Sequence, residues 1–180
     1  SLELDDHKRA KIVQEFETIW AEELPSLPLY FRVDVSITKK GLKKIVGKLS
    51  YSAVKISPRK IYGLRNMNID DENVFISDKE RTLVDFIYKP MGSWVDVEGL
   101  IKEQLKEISV EKLIRYLARF PVVSVRKRAG LMLQRLGISQ QKLSPLLRAI
   151  GKENTCIVFN PFIKSRKGKI NRDWKVIING

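Results

Sequence analysis

Apolar residues recur at helical spacing over residues 6–24, close to the start of the chain. This pattern predicts an amphipathic helix that begins at Asp5 or Asp6 and ends at Pro25. Residues 30–38 then alternate between apolar and polar positions and are rich in β-branched side chains, and residues 51–56 alternate in the same way, so that both predict strands. Between these two strands, Lys39, Lys40 and Gly41 are expected in a turn, and Lys43, Lys44 and Lys48 continue the positive charge after it.

A second helix is predicted from the run SDKERTLVDFIY at 77–88, directly after a strand-like VFI at 74–76. Ser77 and Glu80 have the spacing of a capping box, and Arg81 stands four residues before Asp85 on the predicted polar side. A further short strand is expected at 61–64 and an acidic loop at 70–73. The predicted buried face of the helix consists of Leu83, Val84 and Ile87, with Phe86 at its margin.

Helical spacing dominates the second half of the chain. One helix is predicted over 97–108, a second from Ser109 to about Phe120, a third from Ser124 to Gly137, and a fourth that ends at Gly151. Two strand-like runs close the chain, at 156–163 and 174–178, and the basic loop KSRKGKINR joins them.

This order of elements favours an α+β fold over a doubly wound sheet, because strands do not alternate regularly with crossover helices. We expect a mixed or antiparallel sheet, a C-terminal helical cluster and a closing strand pair. Residues 1–30 are predicted to form the N-terminal helix and a linker, and residues 31–180 one domain, with a hinge near 90–94.

The charge of the chain is unevenly distributed. The net charge is +13, although residues 1–25 alone sum to −4, and ten Lys and Arg but no acid lie between Lys112 and Lys152. Such a field attracts polyanions, among which nucleic acid is the commonest in a cell. The alternative is a basic surface that serves only solubility.

Within the acid-free stretch, the run Arg126, Lys127 and Arg128 is expected in the first turn of the helix that Ser124 begins. Cations at a helix N-terminus oppose the helix dipole, so local helix stability does not explain them, and contact with an anionic partner does. The predicted contacts are Arg126, Lys127, Arg128 and Arg135; Lys39, Lys40, Lys43 and Lys44, with Lys48 beside them; and Lys164, Arg166 and Lys167, with Lys169 and Arg172 beside them. No aromatic residues are interleaved with these cations in the manner that stacks single-stranded bases.

The sequence contains few candidates for catalytic or metal-binding residues. The only cysteine, Cys156, and the only histidine, His7, would have to form any His–Cys pair, and nothing in the sequence brings them together. We therefore expect no enzyme, no metal and no cofactor, and Cys156 is predicted to be a buried thiol. The absence of long apolar runs and the acidic start predict a cytoplasmic protein without membrane contact.

Three segments resemble the C-terminal domain of AbiEi-type antitoxins, over roughly residues 33–180. They are FISDKERTLVDFIYKP at 75–90, VRKRAGLMLQRLG at 125–137 and the closing KGKINRDWKVIIN. The matching positions are Glu80, Arg81, Thr82 and Asp85 in the first, Arg128 and Gly130 in the second, and Trp174 in the third.

The resemblance implies an antitoxin and autoregulator that neutralises a nucleotidyltransferase-like toxin. Members of that family commonly carry an N-terminal winged helix for operator binding, for which residues 1–30 are too short, so operator-specific repression is not expected of this chain. One alternative is a basic nucleic-acid-binding accessory domain without a toxin partner. A weaker one is a solute-binding-protein fragment, since residues 7–35 resemble the closing helix and strand of transporter-linked peptide-binding proteins.

Overall fold

The computed structural model describes residues 11, 43–46, 49–52, 57–69, 72–90 and 93–179. The chain divides into two compact units, Ser1–Asp78 and Lys79–Gly180, here called the N-terminal unit and the C-terminal unit. The predicted helix at 6–24, apart from its residue Lys11, and the predicted strand at 30–38 lie outside the described residues. The predicted domain boundary at residue 30 lies outside them as well.

The described part of the N-terminal unit contains two antiparallel strand pairs. Strand β1, Lys43–Val46, pairs with β2, Leu49–Ser52, and β3, Leu64–Ile69, pairs with β4, Glu72–Ser77. The predicted turn at residues 39–41 lies outside the described residues, whereas Lys43 and Lys44, for which no element was predicted, lie on β1 and pair with β2. The predicted strand at 61–64 is wrong. A 3-10 helix spans Pro58–Lys60, and β3 begins only after Gly63, which has a positive φ of 68°.

Five α-helices follow in the C-terminal unit, near the predicted positions. They are α1, Lys79–Tyr88; α2, Trp94–Gln104; α3, Val110–Arg119; α4, Val123–Arg135; and α5, Gln140–Ile150. The Ser109 cap of α3 is confirmed, since its hydroxyl accepts the Lys112 N–H. Helix α2 begins three residues earlier than predicted, because Ser93 and Asp96 form a capping box that the sequence reading overlooked.

The core of the C-terminal unit lies between these helices. Helix α3 packs against α1, α4 and α5, while α1 also packs against α2 and α4. The predicted buried face of α1 is confirmed, and Phe86 belongs to it fully, at 4% exposure, instead of lying at its margin. Leu113 and Leu117 on α3, and Met132 and Leu133 on α4, are almost completely buried. Burial of this apolar surface is the main stabilising contribution to the unit.

A small mixed sheet closes the C-terminal unit. Its strands are β5, Ile157–Val158; β6, Lys169–Asn171; and β7, Val176–Ile178, in the order β5-β7-β6. Strand β7 is parallel to β5, antiparallel to β6, and packs against α4. The α+β class with a helical cluster and closing strands is thus confirmed. Strand β6 was not predicted, because its residues fall inside the run KSRKGKINR, which reads as a loop.

Candidate functional site

The first residue of the RKR run, Arg126, binds the carboxyl ends of two neighbouring helices. Its Nε donates a hydrogen bond to the carbonyl of Phe120, the C-cap of α3, at 2.6 Å. Its Nη1 donates another to the carbonyl of Ala149, in the last turn of α5. The last carbonyls of a helix lack partners within the helix and carry the negative end of its dipole. The charge of Arg126 therefore stabilises both helix ends.

The second residue, Lys127, is inside the protein. Its side chain is only 1% exposed, and its Nζ donates to the carbonyls of Thr155 at 2.6 Å and Glu153 at 3.2 Å. These hydrogen bonds hold the segment after α5 against α4 and satisfy part of the hydrogen-bonding capacity of a buried ammonium. Lys127 is therefore not available as a surface contact, contrary to the prediction.

The other two predicted contacts on α4 are also engaged within the fold. The Nε of Arg128 donates to the carbonyl of Val158 in β5 at 2.9 Å, and burial lowers the pKa of its guanidinium. Arg135 is about half exposed, and its Nη1 lies 3.7 Å from Glu98 on α2. Its guanidinium also stands 5.1 Å from the centre of the Phe159 ring, a cation–π distance. Only Arg135 among the four presents much of its side chain to solvent.

The dipole of α4 does not determine the role of these cations, because their partners belong to other elements. Helix α4 begins at Val123, so Arg126 is already its fourth residue, past the orphan N–H groups of the first turn. The compensating negative charge comes from carbonyls of other elements, which sequence spacing does not reveal. Three consecutive cations thus connect α4 to the ends of α3 and α5, to residues 153–155 and to β5.

Free cations lie instead in the C-terminal basic segment, residues 164–172. Its five cations are all exposed, and the segment contains no acid. None of these side chains forms an ion pair or a hydrogen bond with any residue that the structure describes. The five are Lys164, Arg166, Lys167, Lys169 and Arg172. Their positive charge is therefore available to an external partner.

One buried amide shapes the start of this segment. Asn179 is 4% exposed, and its Nδ2 donates to the carbonyls of Ser165 at 3.0 Å, Asn160 at 3.1 Å and Ile163 at 3.4 Å. Its Oδ1 accepts the N–H of Asn160 at 2.9 Å. Residues 160–165 therefore curl around a single side chain, which fixes their backbone without using any of the cations.

The segment contains one glycine and one exposed apolar side chain, and a second exposed apolar side chain, Phe162, precedes it by two residues. A Cβ at Gly168 would overlap the carbonyl oxygen of Ile178, so the chain can approach β7 this closely only with glycine. Phe162 is 53% exposed and Ile170 is 50% exposed, on either side of the first four cations. An exposed aromatic ring beside unpaired cations is a combination typical of surfaces that bind partners.

The upstream lysines do not extend this surface within the described structure. Lys39 and Lys40 lie outside the described residues, as does Lys48, while Lys43 and Lys44 lie on β1. Of the three predicted clusters, the structure thus gives an exposed and unpaired set of side chains only for the third.

Glu80, the first residue of the resemblance, joins α1 to α3. Its Oε1 accepts the N–H of Ser109 at 3.0 Å, and its Oε2 lies 3.0 Å from the Nζ of Lys112. Burial raises the pKa of the Glu80 carboxyl, but the hydrogen bonds from Lys112 and Ser109 outweigh it and leave the pKa below its usual value. Glu80 therefore connects two helices, whereas the sequence had suggested a cap for its own helix; that helix begins at Lys79, two residues after Ser77.

The predicted Arg81–Asp85 pair is confirmed, but it is buried. The two charged groups are 2.8 Å apart, with side-chain exposures of 3% and 14%. The guanidinium also stands 5.5 Å from the centre of the Phe120 ring, so the pair packs against the end of α3. Thr82, the third residue of this group, is 5% exposed. These residues face the interior, not the solvent-exposed side that four-residue spacing had suggested.

Gly130 and Trp174, which are 44 positions apart in the sequence, meet in the structure. A Cβ on Gly130 would overlap the indole ring of Trp174, which is 1% exposed. The indole N–H donates to Oε1 of Gln134, one turn further along α4, at 2.6 Å. The closing segment is thus anchored on α4 by a glycine that lets the ring lie against the helix backbone.

Sequence reasoning missed Asn179 and Phe162. Asn179 is one polar residue after an apolar strand, and only the fold shows that three carbonyls converge on it. Phe162 precedes the basic segment by two residues, and its exposure depends on how the chain curls around Asn179. The signal that could have indicated this loop is the pair Asn160–Pro161, which is typical of turns.

Other candidate chemistry is sparse in the described part of the chain. No group of three His, Cys, Asp or Glu residues there could hold a metal ion. Cys156 is exposed, so the prediction of a buried thiol is wrong. None of the helices described is both long enough and apolar enough to cross a membrane.

Comparisons of this chain with protein-family models, with curated proteins and with solved structures yield no match.

Proposed function

We propose that this chain is a cytoplasmic, antitoxin-like regulator that neutralises a nucleotidyltransferase-like toxin by binding it. One observation supports this proposal. The residues that carry the AbiEi resemblance are distant in sequence, but they form contacts that connect different elements of the C-terminal unit. Glu80 connects α1 to α3, Arg81 with Asp85 packs on the end of α3, and Trp174 packs on Gly130 of α4. Residues that hold a fold together are the ones that a shared fold requires.

Neutralisation by binding requires a surface, not a reactive group, and the C-terminal unit offers one. Residues 79–180 hold 21 Lys and Arg and nine Asp and Glu, a net charge of +12. Arg126, Lys127 and Arg128 use their charge inside the fold, so the exposed part of this charge lies elsewhere, most densely in the C-terminal basic segment. A partner with a negative surface potential is therefore favoured.

The test is co-expression with a nucleotidyltransferase-like toxin encoded beside this chain. We expect growth rescue and co-purification of the two proteins. Trp174→Ala, which removes the indole from the Gly130 contact, should reduce rescue, whereas Phe75→Ala, the same kind of change at a side chain 64% exposed on β4, should not. The absence of both rescue and association for the unaltered chain would refute the proposal.

The five unpaired cations support a second candidate, a basic accessory domain that binds nucleic acid without a toxin partner. Binding of this kind releases counterions from phosphates and therefore weakens steeply as salt is raised. The candidate is distinguished from the first by using oligonucleotides with no toxin present. Salt-independent binding would count against it.

A further inference from the structure

We propose that the C-terminal basic segment together with Phe162 binds single-stranded nucleic acid, with the Phe162 ring stacking on a base and the cations contacting phosphates. The inference deepens the nucleic-acid candidate and rests on it. It is independent of toxin neutralisation, because it concerns the protein and an oligonucleotide alone.

The shape of the segment does not suit the reading of bases in the major groove of a duplex. Reading the major groove takes a helix or a two-stranded ribbon that can enter it. The exposed cations here lie on an irregular stretch, residues 164–168, on β6, an edge strand of only three residues, and, for Arg172, in the turn that follows β6. Helix α4, the most basic helix of the unit, directs Arg126, Lys127 and Arg128 to internal carbonyls.

The exposed aromatic ring supplies what a phosphate-only surface lacks. Every base has an aromatic face, so a ring that solvent can reach gives a single strand a stacking partner of any sequence. Phe162 is anchored for this role, since its N–H donates to Oδ1 of Asn160 at 3.0 Å while the carbonyls on either side bind Asn179. The ring therefore projects from a fixed backbone and loses little freedom on binding.

The five cations are also available for phosphate contacts. None of the five has to break an ion pair within the described structure before it meets a phosphate. Asn179 and Gly168 fix the path of the backbone that carries them. If all five contact phosphates, the logarithm of affinity for a single strand should fall with the logarithm of salt concentration with a slope of about −3.5. Affinity would then drop about a hundredfold between 50 and 200 mM salt.

The experiment measures fluorescence anisotropy of labelled dT20, U20 and a 20-base-pair duplex with the full chain over a range of salt. We expect both single strands to bind more tightly than the duplex. Phe162→Ala should weaken single-strand binding roughly 5- to 150-fold and leave the salt slope unchanged. The combined change Lys164→Glu, Arg166→Glu and Lys167→Glu should abolish binding at 200 mM salt.

Matched controls separate this site from net charge and from general apolar exposure. Lys102→Glu, Lys106→Glu and Arg148→Glu change the net charge by the same amount at exposed positions on α2, in the turn after it and on α5. Phe75→Ala removes an exposed ring from β4. Both controls should keep most of the single-strand affinity, and circular dichroism should show every variant folded.

The arms of the experiment also identify each failure. Tighter binding of the duplex, or an unchanged affinity of Phe162→Ala, overturns the single-strand assignment while leaving nucleic-acid binding intact. Equal loss in the two triple variants overturns the site and shows a diffuse charge effect. Absence of binding to all three probes overturns both the inference and the nucleic-acid candidate, and an effect of the segment on toxin association alone would assign it to a protein partner. Similar affinities for dT20 and U20 are expected, because neither stacking nor phosphate contact needs the 2′-hydroxyl.

Discussion

Lys127 shows how a single residue can have a different role from the one its neighbourhood in the sequence suggests. We expect its amine to be protected from acylation in the native protein, because the Nζ is buried and donates to two carbonyls. Mass spectrometry after brief treatment with an acetylating reagent should show modification at least about tenfold slower than at exposed lysines, since reaction requires local opening. Lys102 and Lys106 serve as exposed references, and protection should vanish in denaturant. Equal reactivity in the native protein would contradict the burial.

Gly130 allows a second prediction at the same scale. Gly130→Ala should lower the free energy of unfolding by about 2–3 kcal/mol, because the new methyl group overlaps the indole of Trp174 in a closely packed interior. Urea denaturation measures this. Gly99→Ala is the matched control, since Gly99 lies in α2 with open space around it, and there the change should be neutral or stabilise by up to about 1 kcal/mol. Similar results for both variants would mean that Trp174 does not occupy the position described.

At the scale of elements, the Glu80 carboxylate connects α1 to α3, and the stability that this connection contributes depends on pH. The pKa of its carboxyl is lowered in the folded protein, so its ionised form stabilises the fold above the ordinary pKa of 4.5, and this contribution is lost as the pH falls through the lowered value. Urea midpoints between pH 7 and pH 2 should therefore fall more steeply for the unaltered chain than for Glu80→Gln. Glu103→Gln, at an exposed position on α2, should follow the unaltered chain. If the urea midpoints of Glu80→Gln fell with pH as steeply as those of the unaltered chain, the charge of the Glu80 carboxylate would not stabilise the contact between α1 and α3.

Local patterns predicted most of the helices, and long-range contacts account for the errors. Periodicity located α1 and α3–α5 to within a few residues, since each has an apolar face of several turns and a recognisable end, such as Ser109 or Gly151. Strand β6 was missed because its three residues form a strand only by pairing with β7. The site was predicted by charge alone, so the exposed cations of residues 164–172 were found together with the internal ones of residues 126–128. What separates the two sets is the position of carbonyl groups from distant parts of the chain.

At the scale of the whole molecule, we expect residues 79–180 to fold without the rest of the chain. The contacts described above, from those of Glu80 to those of Asn179, all lie within this unit, and its 102 residues are enough for a hydrophobic core. Circular dichroism of this fragment should show helical structure and a single cooperative thermal transition. A fragment of residues 93–180 is the control. It lacks α1, and therefore four buried apolar side chains and the contacts of Glu80 and Arg81. This fragment should unfold without cooperativity. The longer fragment retains the +12 charge and the basic segment. Its failure to fold would show that the contacts described within the C-terminal unit are not sufficient for folding. This outcome does not depend on which partner the protein binds.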